Sequence, residues 1–235
     1  MEYLKRRHSR LILCGFLIFS LTVIAFPRID LAISALFFDG VSFPRDQWWQ
    51  TLAHDALNWF LCATLGAVLA VYVFNRLTKR TLGGIDGWRV AYLFLVLAIG
   101  GGLIVNVALK DNFGRARPRD VVEFGGLKQF TPAFVSSREC NTNCSFSSGD
   151  AAGGFFSLAL AMALCRRRVA FVAALAVGAV VSLGRLSSGA HFFSDVGVSF
   201  FVMWIVADVL HFYMVATRAE RAGVPVKRPA LEPAV

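Results

Sequence analysis

Apolar residues in this chain gather into six runs, at about residues 11–26, 51–74, 88–109, 151–164, 169–183 and 192–216, each closed by charged, Gly- or Pro-containing stretches. A bilayer core takes about 20 apolar residues in a helix to cross, and the first, second, third and sixth runs approach or exceed that. The fourth and fifth are short, so each is expected to extend a few residues into its polar neighbours, which places Asp150 and Arg185 at helix ends. The pattern predicts an all-α fold, a six-transmembrane-helix bundle. Between the first two runs, residues 28–50 are too interrupted by Asp30, Asp39, Gly40, Pro44 and Asp46 to span. Leu31, Ile33, Leu36, Phe37 and Phe38 suit a short helix in the outer interface, with Trp48 and Trp49 at headgroup level.

Charge fixes the direction of the runs. Lys5 to Arg10 precede the first crossing, and Arg76 to Arg80, Arg166 to Arg168 and Arg218 to Arg228 follow the second, fourth and sixth, so six spans with both termini in the cytoplasm place all four clusters on the inner side. The first run follows basic residues as a signal peptide would. No small-x-small site follows Ala25, and Phe26-Pro27 is a poor processing context, so an uncleaved first span is expected. The chain then divides into a membrane domain, residues 1–217, and a Pro-rich cytoplasmic tail, residues 218–235, expected to be disordered.

Composition supports the membrane class. With 57% hydrophobic residues and a mean hydropathy of +0.61, a soluble domain is a poor fit. The net charge of +9 invites a nucleic-acid reading. The cations fall in short clusters between apolar runs rather than on one soluble face, so membrane lipids and no nucleic acid are the expected partners. Cys14, Cys62 and Cys165 lie in or beside apolar runs and read as small core residues. Cys140 and Cys144 flank Asn141-Thr142-Asn143, and outside the cytoplasm a short disulfide there is favoured over free thiols. No cluster has metal-ligand spacing, and no cofactor is expected.

Candidate chemistry collects on one side. Residues 110–118 open a long extracytoplasmic loop, and this segment, residues 147–150 and residues 185–195 all fall outside on this topology. Lys110, Arg115, Arg117, Arg119 and Arg185 stand there against the positive-inside bias, as a site for an anion would require. His191 and Asp195 are four positions apart, so at the start of a helix the carboxylate can hold the ring Nδ1–H while Nε2 faces a substrate. Cations beside a carboxylate-supported histidine suit phosphoryl transfer. Asn106, polar in an apolar run, is expected to bond a neighbouring helix.

These residues resemble a known signature. Lys110, six residues, then Arg117-Pro118; Ser148-Gly149; and Arg185, five residues, His191, three residues, Asp195 are similar to the three-part motif of the type 2 phosphatidic acid phosphatase (PAP2) superfamily, with lipid A phosphatases among the similar types. The resemblance implies that His191 is a nucleophile forming a phosphohistidine, that Asp195 orients it, and that Lys110, Arg117, Arg185, Ser148 and the Gly149 backbone hold the phosphoryl oxygens. It implies a phosphatase of the bacterial inner membrane with its active site on the periplasmic side. Lipid A-like phosphates and polyprenyl diphosphate are the first expected substrates, then phosphatidylglycerol phosphate or phosphatidate. A lipid phosphotransferase, or a non-catalytic lipid-binding or transport protein of the same fold, are the alternatives.

Two positions depart from the motif. Gly184 stands where the third part usually begins with Ser, and Asp150 stands where a His would protonate the leaving oxygen. Among cations at a helix start, Asp150 is read first as an ionised helix-end residue and second as a general acid with a raised pKa. The first reading predicts a preference for leaving groups that need little protonation, such as a diphosphate or an anomeric sugar phosphate. His54, beside Asp55 at the start of the second run, is an interfacial residue by default and a substitute proton donor otherwise.

Overall fold

The computed structural model describes residues 3–44, 47–165 and 167–216. Its helices are α1 (Arg7–Ala25), α2 (Arg28–Ala35), α3 (Trp48–Thr78), α4 (Gly87–Leu95), α5 (Asp111–Phe113), α6 (Gly149–Phe155), α7 (Ser157–Leu160), α8 (Arg168–Ser187) and α9 (Phe193–His211). A π-helical stretch, Val96–Lys110, joins α4 to α5, and shorter ones, Ala161–Cys165 and Phe212–Ala216, extend α7 and α9. No strand forms among the described residues, where the one bridge pairs Val121 with Lys128. The tail expected after residue 217 lies outside the described residues.

All six apolar runs are helical. Five are long and apolar enough to cross a membrane: Arg7–Ala25, Trp48–Thr78, Gly87–Asp120, Arg168–Ser187 and Phe193–Met214. The fourth run, Gly149–Cys165, is a shorter helix of roughly 25 Å at the α-helical rise, and it stays short because it ends at the start of the basic turn before α8. It is also the most enclosed. Ala151, Ala152, Phe156, Leu158 and Ala159 have no exposed surface, with α3, α8, α9 and the π-helical stretch packed around them. A helix apolar on all sides belongs at the centre of such a bundle.

Small residues make that centre possible. A Cβ on Gly154 would sit 3.1 Å from the Gly178 Cα, and one on Gly178 would sit 2.2 Å from the Phe155 ring, so α6 and α8 touch almost backbone to backbone. On the outside, Leu11, Ile18, Trp59, Val73, Val172 and Val180 are exposed along α1, α3 and α8, an apolar belt that suits lipid tails.

The ends of the bundle are pinned by buried polar groups. At one end Asp208 of α9 accepts hydrogen bonds from Tyr3 Oη and Ser9 Oγ, both at 2.7 Å, and meets His8 Nε2 at 2.9 Å, tying the start of α1 to the end of α9. Asn106 bonds within its own helix rather than to a neighbour: its Nδ2 donates to Gly101 O at 2.8 Å. The wider π-helical turn leaves the carbonyl five residues back within its reach. The other end carries the start of α2, which is no lipid-facing interfacial helix on all sides, because Asp30 and Ser34 are buried against the bundle.

Packing this close makes a prediction. Gly178→Ala forces the new methyl into Phe155 and is expected to cost about 1–3 kcal/mol, read as a lowered thermal midpoint in detergent. Gly66→Ala, with nothing within 4 Å of the added carbon, is expected to leave the midpoint unchanged or slightly raised.

Candidate active site

At the end of the bundle opposite Asp208, the first turns of α3, α6 and α9 meet the last turns of the Val96–Lys110 stretch and α8. Residues 114–147 cover them with a folded cap rather than a loose polar loop. Ala116, Val121 and Phe124 of the cap form a buried cluster with Phe43 and Phe192, and Phe146 lies between Phe113 and Phe134 with centroids 4.9 and 5.2 Å away. Cys140 and Cys144 are disulfide-bonded, with Cα atoms 5.6 Å apart, just before the segment that leads into α6.

His191 sits in the turn between α8 and α9 and is 1% exposed. Its Nδ1 lies 2.8 Å from the Ser145 carbonyl oxygen. A carbonyl only accepts, so Nδ1 carries the hydrogen and the lone pair is on Nε2. Burial, the largest cause, lowers the imidazole pKa against the opposing pull of Asp195, with Arg185 and Arg117 adding to the lowering. The ring is therefore held neutral with a nucleophilic nitrogen. The direct bond expected from Asp195 is not made: its Oδ2 lies 3.7 Å from Nδ1, while the same oxygen accepts from Ser145 Oγ at 2.5 Å and Phe192 N–H at 2.8 Å. Asp195 holds the ring through Ser145, whose hydroxyl meets the carboxylate and whose carbonyl meets the histidine.

Behind this pair is Arg115, also 1% exposed. Its guanidinium donates to Asp195 Oδ1 at 2.5 Å, Ser194 Oγ and Asp30 Oδ2 at 2.8 Å and Thr131 O at 2.7 Å, and it lies 4.3 Å from the Phe192 ring centroid. Asp30 in turn accepts from the Ser194 N–H at 2.8 Å. One cation faces two carboxylates, and burial followed by the Asp195 charge pushes Asp30 above the usual carboxylate range despite the lowering effect of Arg115.

The anion-facing side is built separately. Lys110, Arg117, Arg185 and Asp150 lie close enough to act on one another electrostatically, and both arginines also act on His191. Arg117 is mostly buried and donates to Asn143 O through Nη2 at 2.8 Å. Ser148 caps α6, its Oγ accepting from Ala151 N–H at 3.3 Å, and its N–H and carbonyl meet α9 at Asp195 O and Ser199 Oγ. Gly149 follows it at the first turn, where a Cβ would come 2.9 Å from Asn106 Oδ1. Asp150 Oδ2 lies 2.9 Å from Arg185 Nε and its Oδ1 lies 3.4 Å from His54 Nδ1. Gly184 is packed by Trp49, and a Cβ there would be at an ordinary 3.5 Å from that ring.

Residues 91–219, more than half of the chain, match the PAP2 superfamily. The chain belongs to the PAP2 superfamily. Among similar proteins, a lipid A 4'-phosphatase from Francisella tularensis subsp. novicida is 42% identical over 133 residues, 53% of this chain and 60% of its own length. Proteins of the same description from Rhizobium leguminosarum and Rhizobium etli are 33% and 31% identical over 73% and 79% of this chain, and 81% and 79% of their own. This PAP2 chain thus spans less than two thirds of the first of these relatives and about four fifths of the other two. No solved structure matches it significantly.

The residues singled out in the PAP2 motif, Lys110, Arg117, Ser148, Gly149, Asp150, Arg185, His191 and Asp195, all reach this end of the bundle. Three participants were not singled out: Asp30, Arg115 as an interior residue, and Ser145. Arg115 and Asp30 were visible only as charges outside an apolar run, and nothing in their spacing joins them. Removing the central cation is expected to be costly. Arg115→Ala should destabilise the protein by about 3–5 kcal/mol, seen as a large drop in thermal midpoint, because two buried carboxylates lose their partner.

Proposed function

We propose that this PAP2 protein is a membrane phosphatase that removes a phosphate from a lipid A-type substrate, with the 4'-phosphate first, as in its relatives. The observation that carries the reading is the gathering of Lys110, Arg117 and Arg185 from segments far apart in the chain, with both arginines acting on a buried neutral His191. Cations at that point match a phosphate dianion, and a neutral ring nitrogen is what nucleophilic attack on phosphorus needs. Polyprenyl diphosphate, phosphatidylglycerol phosphate and phosphatidate rank after it.

In the mechanism that follows, Lys110, Arg117 and Arg185 hold the non-bridging oxygens while the start of α6 adds the Gly149 backbone N–H and the Ser148 hydroxyl. His191 Nε2 attacks phosphorus and the bond to the lipid oxygen breaks, giving a phosphohistidine. Ser145 and Asp195 stabilise the ring as its Nδ1–H becomes more acidic. Water then attacks the phosphohistidine, the P–N bond breaks and inorganic phosphate leaves.

An amphiphilic substrate is favoured by the surroundings. Beside the first turns of α3, which carry His54, a groove of about 390 Å³ between α3 and α8 is lined by Ala56, Leu57, Phe60, Val177, Val180 and Val181. A substrate whose acyl chain lies there presents its headgroup to the cations. In the full arrangement the six apolar helices cross the inner membrane with both termini cytoplasmic, and the site opens to the periplasm, in keeping with Arg76, Lys79, Arg80, Arg167 and Arg168 at the other end.

Phosphate release by the purified protein, without added acceptor, across lipid A, polyprenyl diphosphate, phosphatidylglycerol phosphate and phosphatidate tests the reading. Lipid A is expected to be preferred, and His191→Ala is expected to lower release by roughly 10⁴-fold or more. A clear preference for phosphatidate would count against it. Because burial lowers the His191 pKa, its nucleophilic form persists on acidification past the ordinary histidine range. The acid limb of kcat/KM is expected below about pH 6.5.

A further inference from the structure

The leaving oxygen raises a problem that the motif residues do not solve. The primed locant in the relatives' description names a sugar carbon other than the anomeric one, so the leaving group is an ordinary alkoxide that must be protonated as it departs. Asp150 stands where the family motif has a proton-donating His. Its two oxygens face Arg185 Nε at 2.9 Å and His54 Nδ1 at 3.4 Å. A carboxylate placed between a guanidinium and an imidazole is set to orient those two neighbours.

We infer that His54, on the first turns of α3, is the general acid of this active site, and that Asp150 is its positioning residue. The inference rests on the phosphatase reading above. With Asp150 on Nδ1, the ring's other nitrogen, Nε2, is the one left to meet substrate. The His54 side chain is 44% exposed, unlike His191, so a headgroup can reach it. It stands one turn above Ala56 and Leu57, where the apolar groove begins, on the side from which an acylated substrate arrives. Arg185 joins the two halves of the site, since it contacts Asp150 and also acts on His191.

The steps balance. As the His191 Nε2 lone pair forms the P–N bond, the P–O bond breaks toward the lipid oxygen, and the imidazolium of His54 gives its Nε2 proton to that oxygen, releasing a neutral alcohol. Neutral His54 then takes a proton from the water that attacks phosphorus. The P–N pair returns to His191, phosphate departs, and His54 is again protonated. The acid has moved from the helix that carries the motif to the neighbouring α3, and Asp150 has become the group that holds it.

The test is a series of phosphate monoesters on one acylated anchor, with leaving groups from an alkyl alcohol to a nitrophenol, assayed with wild type, His54→Asn, His54→Gln, Asp150→Asn and His191→Ala. A nitrophenolate leaves without a proton. Both His54 variants are expected to lose about 10²-fold or more in kcat on the alkyl ester while staying within a few-fold of wild type on the nitrophenyl ester, and Asp150→Asn to fall in the same selective manner by less. His191→Ala should lose activity on every member. Activity on the nitrophenyl ester shows that each His54 and Asp150 variant is folded, and an unchanged thermal midpoint in detergent shows the same for His191→Ala. Equal losses on both esters, or none on the alkyl ester, would overturn the role of His54. Wild type releasing phosphate from no member would instead overturn the phosphatase reading itself.

Discussion

The buried guanidinium of Arg115 is the interaction on which the site depends. It joins α2 through Asp30, the first turn of α9 through Ser194 and Asp195, and the cap through Thr131, all without contact with solvent. A charge taken this far from water persists only when every donor is used, so each partner is held to one position. Fixing Asp195 fixes Ser145, and the Ser145 carbonyl fixes the His191 ring. Orientation of the His191 ring is thus delegated through two residues to a cation buried away from solvent.

The opposite wall of the site is arranged by the reverse logic. Lys110, Arg117 and Arg185 are like charges brought close, an arrangement that raises the energy of the protein and is offset when a dianion lies among them. Asp150 offsets part of that repulsion by pairing with Arg185, and Arg117 satisfies part of its donor set on Asn143 O. Neither contact is as enclosed as those of Arg115. One wall is rigid because its charged groups are tied to one another in the interior, and the other is receptive because its three cations share a single carboxylate, Asp150.

The helices were legible because crossing a bilayer demands long apolar runs and basic turns, and both demands act locally. The motif residues were legible because their types and internal spacings are specific, even though 68 positions separate Arg117 from Arg185. The support behind them was hidden. Asp30 reads as a break in an interfacial segment, and its partner Arg115 lies 85 positions away. Ser145 acts partly through its carbonyl, which every residue possesses. Asn106 was misread because a polar side chain in an apolar helix gives no sign that the helix has widened to π-helical turns. The shortness of the Gly149–Cys165 helix was visible as a count, but its central place followed only from Gly154 and Gly178 meeting across α6 and α8.

The clasp at the far end of α9 bears on how the chain is assembled. Asp208 lies on α9, and its partners Tyr3, His8 and Ser9 lie at the start of α1 or just before it, about 200 positions earlier. Neither helix can satisfy these groups alone, so the Tyr3 and Ser9 hydroxyls and the Asp208 carboxylate are matched only once α1 and α9 have packed together. Separating the pair would strand a buried carboxylate, so the clasp locks two distant helices into one closed bundle.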